Sequence, residues 1–217
     1  QRPQDAIGYV LEGDIAAAKK AWPEAIAAYR NGLKQAESAD LASRLHGVLM
    51  ASGNKAEAER VAAAWGKDHP KDLAFRLYLG ESALARNDLE SASTIYRGLL
   101  ASVPDNPVVL NNLAWIAGQR KEAGAIGYAE KANALAPNQP AFMDTWAMLL
   151  AEKGELPKAT ELLSKAVGLA PQAAEIRLNY ARVLIQAGKK PEARKELDEI
   201  AKLGNKFPAQ AEVTRLL

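Results

Sequence analysis

Small and apolar residues recur along the chain with a spacing that predicts paired amphipathic helices. The clearest stretch covers residues 73–104 and reads LAFRLYLGESALARNDLESASTIYRGLLASVP. Leu79 and Ala83 are four residues apart, and so are Ala92 and Tyr96; this spacing places each pair on one face of a helix. Asn87-Asp88 interrupts the pattern and is a good start signal for a second helix. The stretch therefore predicts a helix–turn–helix unit.

The same unit recurs along almost the whole chain. Pro70, Pro104, Pro137 and Pro171 are 34, 33 and 34 residues apart. With Leu73 as position 1, position 20 is alanine in every copy: Ala25, Ala58, Ala92, Ala125, Ala159 and Ala193. Position 8 reads Gly13, His46, Gly80, Ala114, Ala147 and Ala181. Small residues belong where two helices approach closely, and larger ones at positions 7 and 24 fill the space beside them.

These columns resemble the tetratricopeptide repeat (TPR) family, whose unit is a helical hairpin of about 34 residues. The resemblance implies an all-α fold, a right-handed α-α superhelix of six helix pairs plus a C-terminal capping helix. The whole chain would form a single TPR solenoid. Its expected repeats are residues 6–38, 39–72, 73–106, 107–139, 140–173 and 174–207, and the capping helix is 208–217.

Repeat four is one residue shorter than its neighbours. We expect the loss to fall between its two helices, near Arg120–Gly124, as a tighter turn. The alternative is a local change in the curvature of the solenoid.

In the TPR family, the first helices of successive repeats line a concave groove that binds a protein or peptide. The family's groove positions are 2, 5, 6, 9, 12 and 13 of each unit. In this chain the groove positions are occupied by Ser43 and Leu77 and by the candidate partner-binding residues, which are Arg44, Tyr78, Glu81, Asn111, Asn112, Trp115, Asp144, Thr145, Met148, Asn179, Arg182 and Gln186. Asparagine amides suit an extended peptide backbone, and aromatic or methionine side chains supply contact energy. There are two alternatives to a partner-binding role. The asparagines are simply solvated, or Trp115 or Met148 packs on a neighbouring repeat.

The family members that bind chaperones hold a terminal carboxylate with lysine at position 5 and asparagine at position 9. Neither residue occurs at those positions in any copy here. We therefore expect no binding of that kind.

The amino-acid composition argues against several classes of function. The net charge is +2, which does not favour nucleic acid as the main partner, and RNA binding by helical repeats would need a stronger basic stripe. There is no cysteine, the only histidines are His46 and His69, and Ser91, Ser93 and Ser164 have no histidine nearby in sequence. No apolar run is long enough to cross a membrane. We expect no catalytic residue, no metal site, no cofactor and no direct membrane insertion.

The favoured function is a non-enzymatic scaffold for protein–protein interaction, and the alternative is an accessory portion of a larger enzyme such as a glycosyltransferase or protease. We interpret the chain as a fragment of a longer protein. The phrases LEGDIAAAKKAWPEAIAAYRNGL, LNNLAWIAG, YAEKANALAPNQPAFMDTWAMLLAEKGELPKA and ARVLIQAGKKPEARKEL resemble the C-terminal part of bacterial TPR lipoproteins of the PEP-CTERM protein-sorting and exopolysaccharide export system. That resemblance implies a lipid anchor upstream and a periplasmic or outer-membrane location.

Overall fold

The computed structural model describes residues 3–217, with side chains from Ala6 onward, and this part of the chain contains helices and no strands. The all-α prediction is confirmed. The helices are α1 (Pro3–Ala18), α2 (Trp22–Gln35), α3 (Ala39–Ala51), α4 (Lys55–Asp68), α5 (Leu73–Ala85), α6 (Leu89–Ser102), α7 (Pro107–Gln119), α8 (Ala125–Leu135), α9 (Pro140–Glu152), α10 (Leu156–Leu169), α11 (Ala174–Gln186), α12 (Lys190–Ala201) and α13 (Gln210–Leu216), with a short 3-10 turn at Gly204–Lys206. Across residues 3–217, no helix combines the length and the apolar character needed to cross a membrane.

The helices group into two compact units, Gln1–Leu99 and Leu100–Leu217. In the first unit α1 packs against α2 and α3 against α4, and the first helices α3 and α5 also lie side by side. In the second unit α7, α9 and α11 pack against their partners α8, α10 and α12, and α9 contacts both α7 and α11. Neighbouring first helices are therefore in contact within each unit, α3 with α5 in the first and α9 with α7 and α11 in the second. A single solenoid that runs through both units stays a prediction.

Each first helix ends with the same hydrogen-bonded turn. A backbone N–H bonds to the carbonyl five residues earlier, from Ala21 to Ala16, Asn54 to Leu49, Asp88 to Ala83, Glu122 to Ala117, Glu155 to Leu150 and Lys189 to Leu184. The residue before each donor has a positive φ: Lys20, Gly53, Asn87, Lys121, Gly154 and Gly188. This left-handed residue reverses the chain and satisfies a carbonyl that the helix leaves open. Three of the six turns thus use a residue other than glycine.

We expect Lys121→Gly to stabilise the chain, because lysine at a φ of 54° is strained where glycine is not. The free energy of unfolding should rise by up to about 1 kcal/mol. Urea unfolding measures the change. Gly154→Ala, at a φ of 82°, should lower the free energy of unfolding by a similar amount. If both substitutions raise the free energy of unfolding, or both lower it, the account of these turns is wrong.

The short fourth repeat differs from our expectation. Its turn is longer, not tighter: five residues separate α7 from α8, whereas three separate the helices of every other pair. The hydrogen bond from Glu122 to Ala117 forms as in the other pairs, but α8 begins only at Ala125, after Gly124 with a φ of 91°. The shortening therefore falls on α8, which has 11 residues where α10 has 14. Residues around this turn line a cleft of about 630 Å³, bordered by Lys121, Gly124 and Leu149.

The small and large columns interlock inside the first and third hairpins. The six alanines at position 20 are buried, from Ala25 to Ala193. A methyl group added to Gly13 would lie 2.2 Å from the ring of Tyr29, and one added to Gly80 would lie 2.8 Å from the ring of Tyr96. Both tyrosines occupy position 24 and are buried. Glycine at position 8 therefore makes room for a ring at position 24.

The last helix covers the sixth helix pair. Val213 of α13 is fully buried and, with Phe207, packs against Leu178 of α11 and Leu197 and Ile200 of α12. A terminal repeat exposes an apolar face that must be covered. The helix α13 provides this cover, as the predicted capping helix requires.

Candidate functional site

Half of the candidate partner-binding residues meet at one cleft in the second unit. This α7/α9/α11 cleft has a volume of about 260 Å³ and is lined by Trp115, Gly118, Gln119, Asp144, Thr145, Met148, Leu149, Glu152, Asn179 and Arg182. They come from three successive first helices that pack side by side. The periodicity of one helical face brings them to a common side.

A polar network runs across the cleft. Asn179 Nδ2 donates to both carboxylate oxygens of Asp144, each at 3.0 Å. Arg182 Nη1 donates to Asn179 Oδ1 at 2.7 Å. The amide that sequence analysis reserved for a peptide backbone is therefore engaged at both ends within the chain. A peptide that used Asn179 would have to replace or share these bonds.

Arg182 also ties the last helix to the cleft. Its Nε and Nη2 donate to Glu212 Oε1 and Oε2 at 2.9 and 2.6 Å, the two-pronged geometry that favours arginine over lysine. The Arg182 hydrogen bond lowers the pKa of Glu212. The bond therefore stabilises the fold above the ordinary pKa of a glutamate and is lost as pH falls through the lowered value.

Asp144 is only partly exposed and forms no ion pair within residues 3–217. Burial raises its pKa to about 6; the Asn179 hydrogen bond and the charge of Arg182 oppose this rise, and Glu175 adds to it. Removing a carboxylate from water without a directly paired cation disfavours its charged form. Near neutral pH the cleft thus holds a costly negative charge.

We expect Asp144→Asn to stabilise the chain more at pH 8 than at pH 4. The folded chain holds the Asp144 proton more tightly than the unfolded chain, whose aspartate has the ordinary value of 3.8, so this group opposes folding increasingly as pH rises from about 4 to 6. After allowance for solvent screening, the relative gain at pH 8 should be about 1–2 kcal/mol. Urea unfolding of both chains at the two pH values measures it. Asp198→Asn, at an exposed carboxylate of α12, is the control, and a pH-independent effect of Asp144→Asn would contradict the assignment.

Aromatic, thioether and aliphatic side chains form another part of the cleft. Trp115 remains 38% exposed, and Met148 and Leu149 lie beside it in the lining. Thr145 Oγ1 donates to the Ala141 carbonyl of its own helix at 3.0 Å, so its hydroxyl is partly used. An exposed indole next to methionine is a surface that packs well against a partner.

Two further candidates, Arg44 and Tyr78, line a separate cleft of about 430 Å³ in the first unit. Arg44 forms ion pairs with Asp14 and Asp40, at 2.5 and 2.8 Å, and its hydrogen bond to Asp40 is the main cause of its raised pKa. Tyr29 donates its hydroxyl to Asp14 at 2.7 Å, and burial is the main reason that the pKa of Tyr29 rises to about 12. These charges satisfy one another within the chain.

The buried His46 and the partly buried Tyr78 form a pair in the same unit. His46 Nδ1 lies 2.8 Å from the Tyr78 hydroxyl, and the two rings meet edge to face. Burial, then the charge of Arg86, lowers the pKa of His46, so the ring is neutral at pH 7. Between residues 3 and 217, no group of histidine and carboxylate side chains has the arrangement of a metal site.

The remaining candidates line neither of these clefts. Glu81 and Gln186 are exposed, and Asn111 and Asn112 are partly buried on α7. The Asn111 Oδ1 atom is buried and accepts no hydrogen bond. A groove role for these four residues stays a prediction.

Sequence analysis missed four polar side chains that line the clefts or bind to residues there. Asp14, Gln119 and Glu152 occupy positions 9, 13 and 13 of their repeats, so a complete use of the groove positions would have found them. Glu212 lies beyond the sixth repeat, where the repeat frame gives no position. Its contact with Arg182 depends on how α13 folds back.

Comparison with known protein families identifies the same repeat in two stretches of the chain. Two models described as Tetratricopeptide repeat match residues 48–107 and 150–217, together more than half of the chain. No curated protein sequence matches the chain significantly.

Several solved structures are similar. A tetratricopeptide repeat protein from Parabacteroides merdae is 14% identical, with a TM-score of 0.70 over 92% of this chain and 80% of that chain. PilF of Pseudomonas aeruginosa is 19% identical, with a TM-score of 0.71 over 98% and 97% of the two chains. YrrB, described as a TPR protein with an unusual peptide-binding site, is 14% identical, with a TM-score of 0.60 over 86% and 97%. At these identities the likeness concerns the fold. The repeat matches, the paired helices and the alanine column together place this chain in the tetratricopeptide repeat family.

Proposed function

We propose that the chain is a non-enzymatic scaffold for protein–protein interaction and that the α7/α9/α11 cleft binds an extended peptide segment of its partner. The observation that carries the proposal is the convergence of Trp115, Asp144, Met148, Asn179 and Arg182, from three first helices, on one concave surface. The TPR fold typically serves as a non-catalytic scaffold, which agrees with this assignment. A binding role needs only the surface, with no reacting group.

The chemistry of the cleft suits a peptide. Trp115 and Met148 provide apolar contact area, and buried aromatic anchors supply much of the free energy at interfaces. The hydrogen bonds among Asp144, Asn179 and Arg182 fix polar groups in the cleft at set distances from one another. Fixed polar groups beside apolar surface give orientation together with affinity. The similarity in fold to YrrB, whose description mentions a peptide-binding site, lends general support.

The test is selection of a displayed library of random nine-residue peptides against the full chain. We expect enriched peptides whose affinity, measured by fluorescence anisotropy, falls at least tenfold for the Trp115→Ala/Met148→Ala variant, because truncated anchors cost roughly 1–2 kcal/mol each. Circular dichroism should show unchanged helix content.

A matched control keeps the test specific. Leu135→Ala/Leu169→Ala removes two exposed apolar side chains at the ends of second helices, outside the cleft. We expect this variant to bind the enriched peptides like the wild type. Equal losses in both variants, or peptides indifferent to Trp115 and Met148, would assign binding to another surface.

The cellular setting is a separate proposal that rests on the resemblance of the four sequence phrases. We propose a part in bacterial export, in exopolysaccharide or protein-sorting assembly, with an upstream lipid anchor. Fractionation of cells that express the complete gene tests this, since a purely cytoplasmic product contradicts it. The alternative, an accessory portion of a larger enzyme, predicts a catalytic domain in that complete gene.

A further inference from the structure

Within the described residues, the α7/α9/α11 cleft contains a carboxylate without an ion-pair partner. Asp144 accepts two hydrogen bonds from the neutral amide of Asn179 and forms no ion pair within the described chain. Buried charges in proteins are ordinarily paired, because an unpaired one loses its hydration without compensation. Here the unpaired carboxylate borders an open cleft, so a compensating charge has access to it.

The nearest cation of the chain is committed elsewhere. Arg182 directs Nε and Nη2 to Glu212, on the far side from Asn179, and gives only Nη1 to the network. Glu152, at the end of α9, also lines the cleft, while α7 contributes the neutral Trp115 and Gln119. With the Arg182 charge paired to Glu212, Asp144 has no ion-pair partner among the described residues, and Glu152 adds a second carboxylate to the lining. Glu175 of α11 adds to the negative potential at Asp144.

Resting on the proposed function, we propose that the cleft selects peptides with an arginine or lysine side chain, which binds between Asp144, Glu152 and Trp115. An arginine or lysine head group forms charge-assisted hydrogen bonds with carboxylates and is also attracted to the face of an indole. The methylene stem of such a side chain packs against Met148. All four residues line the same cleft of about 260 Å³.

Sequencing of the selected peptide library is the first test. We expect arginine and lysine to be enriched at one position of the peptides selected by the wild-type chain. The pool selected by the Asp144→Asn/Glu152→Gln variant should lose this enrichment. Enrichment of acidic residues, or none at any position, would overturn the proposal.

The second test uses the most enriched peptide, synthesised with an acetylated N-terminus and an amidated C-terminus so that only the side chain carries positive charge. We expect replacement of its arginine by citrulline to weaken binding at least about tenfold, as truncation of a buried charge pair does. The citrulline peptide should bind wild type and Asp144→Asn equally. The Asp144→Asn variant should keep or gain thermal stability while losing affinity, which a merely structural residue would not do.

Glu161→Gln on α10 is the control for charge alone, because it removes an exposed carboxylate outside the cleft. We expect it to bind the arginine peptide like the wild type. Equal binding of the citrulline and arginine peptides, with both dependent on Trp115 and Met148, would contradict the proposed selection of a basic side chain. The peptide-binding function would then stand. If no peptide depends on Trp115 and Met148, both fail.

Discussion

Gly13→Ala should destabilise the chain by about 1–3 kcal/mol, although alanine is the better helix former. The added methyl group would lie 2.2 Å from the Tyr29 ring, closer than carbon atoms approach. The ring is held in place, because Tyr29 is buried and its hydroxyl is hydrogen-bonded to Asp14 at 2.7 Å. Overpacking should therefore exceed the gain in helix propensity. Urea unfolding followed by circular dichroism measures the difference.

Gly8→Ala is the matched control in the same helix. A methyl group there meets nothing within 4 Å, so this substitution should stabilise by up to about 1 kcal/mol. In the Tyr29→Leu background, Gly13→Ala should become neutral or favourable, since the pairs Ala147/Leu163 and Ala181/Leu197 occupy the same positions in repeats five and six. The account of the columns is wrong if the cost of Gly13→Ala is the same with tyrosine and with leucine.

Val213→Asp should cost about 3–5 kcal/mol, because it places an unpaired carboxylate where no solvent reaches. Val213 packs with Leu178, Leu197 and Ile200, so the charge would lie at the centre of the cover over the sixth pair. In repeat proteins each unit is stabilised by its neighbours, so the loss should spread from the end inwards. Hydrogen exchange should show reduced protection first in α11 and α12.

Thr214→Asp is the control for this prediction. Thr214 is the next residue and is exposed, so the same charge there should change the free energy of unfolding by no more than about 0.5 kcal/mol. Equal effects at the two positions would show that α13 does not cover the core. Retained protection in α11 and α12 of Val213→Asp would show the same.

Most of the fold was predictable because the repeat presents the same packing problem six times. Alanine at position 20 is buried in every pair, and one column read in register identifies both helices of the hairpin. The fourth pair was harder. Its missing residue suggested a tighter turn, but the hydrogen bond that closes each turn fixes the end of the first helix, so α8 loses residues instead.

The sequence predicts which residues share the surface of the site better than it predicts the hydrogen bonds and ion pairs between them. Groove positions brought Trp115, Asp144 and Met148 to one cleft, because helical periodicity alone decides which side they face. The partners of these side chains depend on distances that periodicity does not give. Thus the engagement of Asn179 with Asp144, and of Arg182 with Glu212, emerges only from the folded chain.

The most direct measurement is a two-dimensional NMR titration of the ¹⁵N-labelled full chain with the most enriched peptide. The chain has four tryptophans, so the indole N–H of Trp115 can be assigned by substitution and followed separately. We expect it to shift together with the backbone amides of Met148 and Asn179, because the peptide should lie across α7, α9 and α11. Shifts confined to the second helices α8, α10 and α12, with Trp115, Met148 and Asn179 unchanged, would contradict binding at this cleft.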